Sequence, residues 1–98
     1  MDNTEDQGAP TIDFAGFVLS LATTAALHFG DIPDPGTGHR PEPNLEAARQ
    51  MIEIIGMLQE KTKGNLLEPE AQLIDDLLYE LRMRYVKAQE GEKRIIHP

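Results

Sequence analysis

Residues Phe14–Phe29 read FAGFVLSLATTAALHF, and this stretch decides the fold because it contains no Asp, Glu, Lys or Arg. Apolar side chains recur along it at the three- and four-residue spacing of an α-helix. Asp13 or Thr11 can cap the start of that helix, and Gly30 is a residue typical of a helix C-terminus. The sequence therefore predicts a first helix over residues 14–29.

Helix one is apolar on two sides instead of one. Its first stripe consists of Phe14, Phe17, Val18, Leu21 and Ala25, and its second of Leu19, Ala22, Ala26 and Phe29. A helix that is apolar all round is normally buried all round. Burying one additional face of about four large side chains is worth roughly 6–12 kcal/mol before costs, which is comparable to the whole stability of a small domain. We therefore expect a second copy or another protein to cover helix one, unless two further helices already do so.

Prolines and glycines separate helix one from the rest of the chain. Residues 30–43 contain four prolines and three glycines, which predict a turn-rich surface linker. Asn44 is a good N-cap for helix two, predicted over residues 45–63 and ended by Gly64. Helix three is predicted over residues 69–89, with Pro69 in its first turn.

Helices two and three each carry one apolar stripe. These stripes are Leu45, Ala48, Met51, Ile52, Ile55 and Leu58 in helix two, and Ile74, Leu77, Leu78, Leu81 and Tyr85, with Val86 at the margin, in helix three. Two amphipathic helices joined by a short loop pack as an antiparallel hairpin. We therefore predict an all-α fold with one helical domain over residues 13–90, completed by dimerisation. A disordered acidic tail over residues 1–12 and a flexible tail over residues 91–98 flank it.

The composition excludes several classes of protein. The chain has 98 residues and no cysteine, so it allows one domain and excludes disulfides and thiolate metal sites. Its net charge of −8, without a basic face, argues against nucleic-acid binding. The apolar stretch of helix one is shorter than the roughly 20 residues of a membrane-spanning helix, and the acidic N-terminus has no signal-peptide pattern. We therefore expect a soluble, cytoplasmic protein without a membrane-spanning helix.

Polar residues at the first linker suggest one candidate metal site. Its members are His28, Asp31, Asp34 and His39, because imidazole and carboxylate groups together can bind a divalent cation. Their spacing matches no standard metal site, so ordinary loop polarity is the better interpretation. We therefore predict no metal and no cofactor.

The polar residues of the hairpin also have structural interpretations. Lys61, Lys63 and Gly64 end helix two, where the negative end of the helix dipole disfavours an anion. Arg84 lies four residues after Glu80, a spacing that predicts an ion pair on the acidic outer face of helix three.

Arg82 and Tyr85 are less easily explained. Tyr85 falls on the apolar stripe, so its hydroxyl group needs a partner. Arg82 flanks that stripe and can reach a carboxylate across the hairpin or across a dimer. A structural pairing is the preferred interpretation over a ligand site. Gly56 interrupts helix two, and it either permits close approach of another helix or is tolerated on the outside.

Three segments carry a family resemblance: DFAGFVLSLA at residues 13–22, KTKGNL at residues 61–66 and LLYELRMRY at residues 77–85. Together they resemble the bacterial domain-of-unknown-function family 1844, over residues 13–86. The resemblance implies a bacterial, cytoplasmic protein and implies no activity, substrate or cofactor. One departure concerns the start of helix three, where Leu67 stands in place of an expected hydroxyl residue and puts the cap of that helix in doubt.

These observations favour a non-enzymatic protein–protein interaction or assembly module that acts as a homo-oligomer, most simply a dimer, or binds an unidentified protein. No acid, base and nucleophile converge in the sequence, and Ser20 has no neighbouring group that could activate it. The residues predicted to form the interface are Phe14, Phe17, Val18, Leu21, Ala22, Ala25, Phe29, Arg82 and Tyr85. The alternatives are peripheral membrane association through helix one and a small ligand- or metal-binding protein.

Overall fold

The computed structural model describes the backbone of residues 12–96 and the side chains of residues 12–91. The predicted all-helical class is confirmed, because the described chain consists of three α-helices and contains no strand. We number them α1 (Phe14–Phe29), α2 (Leu45–Lys61) and α3 (Glu68–Ile96). Of the tails predicted over residues 1–12 and 91–98, residues 1–11 and 97–98 lie outside the described residues.

Local signals set both ends of α1. The Asp13 side chain accepts a hydrogen bond from the Gly16 amide at 2.7 Å, so Asp13 is the N-cap. Gly30 has a left-handed φ of 79°. The amides of Gly30 and Asp31 donate to the carbonyls of Leu27 and Ala26, which is the paired pattern of a Schellman C-cap. This turn ends the helix and fixes the direction in which Asp31 leaves it.

The linker returns the chain to the end of α1. Its central turn is closed by the Asp34 side chain, which accepts a hydrogen bond from the Gly36 amide. The Asn44 amide then donates to the carbonyl of His28 at 2.7 Å, while the Asn44 side chain accepts from the Ala47 amide. Asn44 therefore ties the linker to α1 and also caps α2, as predicted.

Helix α2 ends at Lys61, two residues before the predicted end. The Thr62 hydroxyl group donates to the carbonyl of Leu58 at 2.8 Å, and the Lys63 amide donates to the carbonyl of Glu60. The Lys63 bond tightens the last turn, because it spans three residues instead of the four of the α-helical ladder. Gly64 then takes a left-handed φ of 87° and leads the chain out of the helix.

Helix α3 starts with half of a capping box. The Glu70 carboxylate accepts a hydrogen bond from the Leu67 amide at 2.8 Å, but the Leu67 side chain offers no oxygen in return. At its other end α3 runs to Ile96, beyond the predicted end at residue 89. A glycine such as Gly91 destabilises a helix by roughly 1 kcal/mol relative to alanine, but α3 continues through it.

All three helices contribute to one core. The buried residues are Val18, Ala25 and Phe29 from α1, Ala48, Ile52 and Ile55 from α2, and Ile74 and Leu78 from α3. Every pair of helices is in contact. The core takes most of the stripes predicted for α2 and α3, whereas Val86, placed at the margin of the α3 stripe, is 47% exposed.

Candidate interaction surface

One face of α1 stays outside the core. We define the α1 outer face as its exposed residues Gly16, Phe17, Leu19, Ser20 and Thr23. Phe17 keeps 50% and Leu19 keeps 47% of its surface exposed. No ionised side chain interrupts this face, since α1 contains no Asp, Glu, Lys or Arg. The α1 outer face is therefore an uncharged surface that is exposed to solvent in the single chain.

The hydroxyl groups on and beside this face are satisfied within the helix. Ser20 donates to the carbonyl of Phe17 at 2.7 Å, and Thr23 donates to that of Leu19 at 3.0 Å. Thr24 donates in the same way to the carbonyl of Ser20 at 3.1 Å. A buried hydroxyl group is costly when its donor has no partner. Because these donors already have partners, another molecule can cover the face without that cost.

The structure divides the residues that were predicted to form an interface. Six of the nine lie in the core of the single chain or pack against it: Val18, Ala25, Phe29, Phe14, Leu21 and Tyr85. Phe17 and Arg82 are exposed, and Ala22 is half-buried. The core thus cuts across both predicted stripes of α1, because it takes Phe29 from the second stripe and leaves out Phe17 from the first.

Arg82 lies against α2. Its guanidinium Nη2 is 3.3 Å from the point where a side chain at Gly56 would place its Cβ atom. The glycine therefore gives the arginine room to lie across α2, which accounts for an interruption that had two interpretations in the sequence. Among the described residues Arg82 forms no ion pair.

Arg84 forms the ion pair that holds the linker to α3. Its Nε and Nη2 atoms donate to the two carboxylate oxygens of Asp31 at 2.8 and 2.7 Å. These hydrogen bonds hold the pKa of Asp31 below its ordinary value, and the positive charge of the guanidinium acts in the same direction. The predicted pairing of Arg84 with Glu80 is therefore wrong.

The physical reason lies at the end of α1. The guanidinium carbon of Arg84 is 4.9 Å from the centre of the Phe29 ring, so the cation also faces an aromatic surface. A pair with Glu80 on the outer side of α3 gives one exposed contact within a helix. Asp31 gives a two-pronged contact beside the core. The side chains of Arg84 and Asp31 are 34% and 38% exposed there, so water screens their charges less.

The polar groups around the first linker serve the linker itself. Asp31 is held by Arg84, and Asp34 accepts hydrogen bonds from the amides of its own turn. Across the described side chains, no three His, Asp or Glu residues converge in a way that could hold a metal ion.

Two of the open clefts on the described surface are large enough for a small molecule. One, of about 470 Å³, lies beside the turn between α2 and α3, and its lining includes Lys63, Ile74 and Asp75. The other, of about 430 Å³, lies at Phe29 and Pro43. Among the residues that line them, neither cleft brings an acid, a base and a nucleophile together.

The family comparison agrees with the sequence resemblance. No helix of the described residues combines the length and the apolar character that crossing a membrane requires. No curated protein and no solved structure matches the chain. A family model described as "Domain of unknown function (DUF1844)" matches residues 11–87, a range that includes all of α1 and α2 and most of α3. The chain therefore belongs to the DUF1844 family of domains of unknown function.

Proposed function

We propose that the protein is a protein–protein interaction and assembly module, and that its α1 outer face binds the same face of a second copy. The observation that carries the proposal is the half-exposure of Phe17 and Leu19 on a helix without charge. Another protein surface that covers these side chains removes their exposed apolar area from water, which favours binding. A two-fold axis brings the same patch of both copies together.

Charge favours a second copy at this particular face. The chain carries 17 acidic and 9 basic side chains, so two copies repel each other over most orientations. The α1 outer face lies within the uncharged run of residues 14–27, where the two chains approach with the least repulsion. The same net charge disfavours the anionic surface of a membrane, which attracts basic segments.

The hydrophobic gain sets the strength of this contact. Burying the remaining half of Phe17 and Leu19 in both copies supplies roughly 3–6 kcal/mol before the cost of association. Association itself costs roughly 4 kcal/mol or more, so the half-buried neighbours of the face must add to the gain. We therefore expect a weak dimer whose population changes with protein concentration.

The internal arrangement that presents α1 is the antiparallel hairpin of α2 and α3. Two contacts support it. The side-chain amide of Gln59 donates to a carboxylate oxygen of Asp75 at 3.4 Å, and the Arg82 guanidinium lies over Gly56. Residue numbers thus rise along α3 as they fall along α2. Such a hairpin supplies two helices for one side of α1 and leaves the other side free.

Light scattering over a protein concentration series tests the proposal. We expect the wild-type mass to rise above 10.9 kDa with concentration, and Phe17→Asp to lower it at every concentration, because a carboxylate is then buried in the contact. Leu67→Asp is the matched control, since Leu67 is 68% exposed and lies outside α1. Equal masses for wild type and F17D would refute the α1 contact. Flotation of the wild-type protein with vesicles would favour the membrane alternative.

A further inference from the structure

A second apolar surface lies on the far side of α3. Tyr79, Met83 and Val86 are 66%, 53% and 47% exposed. Their spacing of four and then three residues places them along one face of the helix. We call these three residues the α3 outer stripe. The opposite face of α3 supplies Ile74 and Leu78 to the core, so the stripe is not needed for the fold of the single chain.

The charges of α3 are separated along its length. From residue 68 to residue 80, every charged side chain is acidic: Glu68, Glu70, Asp75, Asp76 and Glu80. From residue 81 to residue 91, three of the four are basic: Arg82, Arg84 and Lys87, with Glu90 the exception. The α3 outer stripe spans the boundary between the two halves. Such a helix complements a copy of itself only when the two run in opposite directions.

Charges beside the stripe are left without partners in the single chain. Arg84 is bound to Asp31, so Glu80 lacks the partner that its spacing would provide. Within the described residues, neither Glu80 nor Lys87 takes part in an ion pair. Both side chains are exposed, and they lie seven residues apart on the same flank of the stripe.

We propose that α3 binds the α3 of a second copy in antiparallel orientation, with the two-fold axis at Met83. This axis brings Tyr79 to within one residue of the partner's Val86 along the helix axis, so the apolar stripes cover each other. It brings Glu80 to within one residue of the partner's Lys87 along the helix axis, and the reverse pair forms by symmetry. Arg82 stays at the side of this contact, because its guanidinium lies over Gly56 of its own α2.

The charge pattern selects a second copy over other occupants. A basic partner helix complements Glu80 but meets like charge at Lys87. An acidic partner helix complements Lys87 but meets like charge at Glu80. A parallel copy places acid against acid. The antiparallel copy pairs Glu80 with a lysine on both sides of the axis, and Glu90 level with the partner's Asp76 is the exception of like charge.

The α3 contact is separate from the α1 contact, so the two make distinct contributions to assembly. A chain with two self-complementary faces forms complexes larger than a dimer. Light scattering of four proteins separates them: wild type, Phe17→Asp, Met83→Asp and the double variant. We expect masses above a dimer for wild type at high concentration, a dimer at most for each single variant, and 10.9 kDa for the double variant.

A charge exchange tests the orientation. We expect Lys87→Glu to weaken the α3 contact at least tenfold in the F17D background, and the double exchange E80K/K87E to restore most of the affinity, because each copy then carries the reversed pair. Circular dichroism checks that each variant is folded. Unchanged masses for M83D and K87E would overturn the α3 contact whatever F17D does, and a failure of E80K/K87E to restore binding would overturn the antiparallel pairing.

Discussion

The contact between Asp31 and Arg84 gives the most quantitative prediction, which a double-mutant cycle measures. A two-pronged pair with side chains about one-third exposed lies at the upper end of the range for surface pairs, about 1 kcal/mol. The contact of the guanidinium with the Phe29 ring stabilises the fold by about 0.5–1 kcal/mol more, and this part is lost only when Arg84 is replaced. We therefore expect Asp31→Ala to cost about 1 kcal/mol and Arg84→Ala about 2 kcal/mol.

The cycle isolates the pair from the other losses. The double variant D31A/R84A is expected to be about as unstable as R84A, because the pair is already lost there, which gives a coupling energy of about 1 kcal/mol. Urea unfolding followed by circular dichroism at pH 7 measures all four proteins at one protein concentration, since oligomers gain apparent stability from mass action. Coupling below about 0.3 kcal/mol, within the scatter of additive variants, would refute the structural role of this pair.

The pH dependence has a defined sign. The pKa of Asp31 is lower in the folded chain than in the unfolded chain, because Arg84 donates to its carboxylate. The stabilisation is therefore complete above the unfolded value of about 4 and is lost as the pH falls through the folded pKa. We expect constant coupling between about pH 5 and 8 and a decline only below about pH 4. Coupling that falls between pH 8 and 6 would point to another group.

Three further substitutions have outcomes that the fold sets. Leu67→Asp completes the capping box of α3 opposite Glu70 and should raise the free energy of unfolding by about 0.5–2 kcal/mol; lower stability would show that Leu67 does not act as the N-cap. Gly30→Ala should cost about 1–3 kcal/mol in thermal unfolding, because φ is 79° and the new Cβ atom would lie 2.9 Å from the Pro41 carbonyl oxygen. Ile55→Ala should cost about 2–5 kcal/mol, since Ile55 is fully buried, and a loss under about 1 kcal/mol would contradict its place in the core.

The start and end of α1 could be predicted from the sequence because they depend on neighbouring residues. Asp13 bonds to an amide three residues away, and Gly30 takes a backbone conformation that other residues avoid. The same holds for the cap at Asn44. The end of α3 was harder to predict, because Gly91 weakens a helix without forbidding it and no proline follows until Pro98.

The candidate surfaces were predictable only in part. The absence of charge from α1 indicated an uncovered face, and the residues of that face are Phe17 and Leu19 instead of Phe29, which is 2% exposed. The exposure of Tyr79 and Met83 was missed, although their four-residue spacing was visible. In the sequence both residues lie between members of the core stripe of helix three. The stronger apolar pattern of that stripe therefore hides the second one.

By itself the sequence determined three helices, the N-caps of the first two and an uncharged first helix, since those properties follow from residues close together in the chain. Only the tertiary structure decided which side of α1 enters the core and which acid Arg84 binds. Asp31 lies 53 residues from Arg84 along the chain, and no periodicity spans that distance. Packing against α2 and α3 determines where the aromatic ring and the carboxylate at the end of α1 come to lie. Those positions then leave Glu80 and the α3 outer stripe facing water.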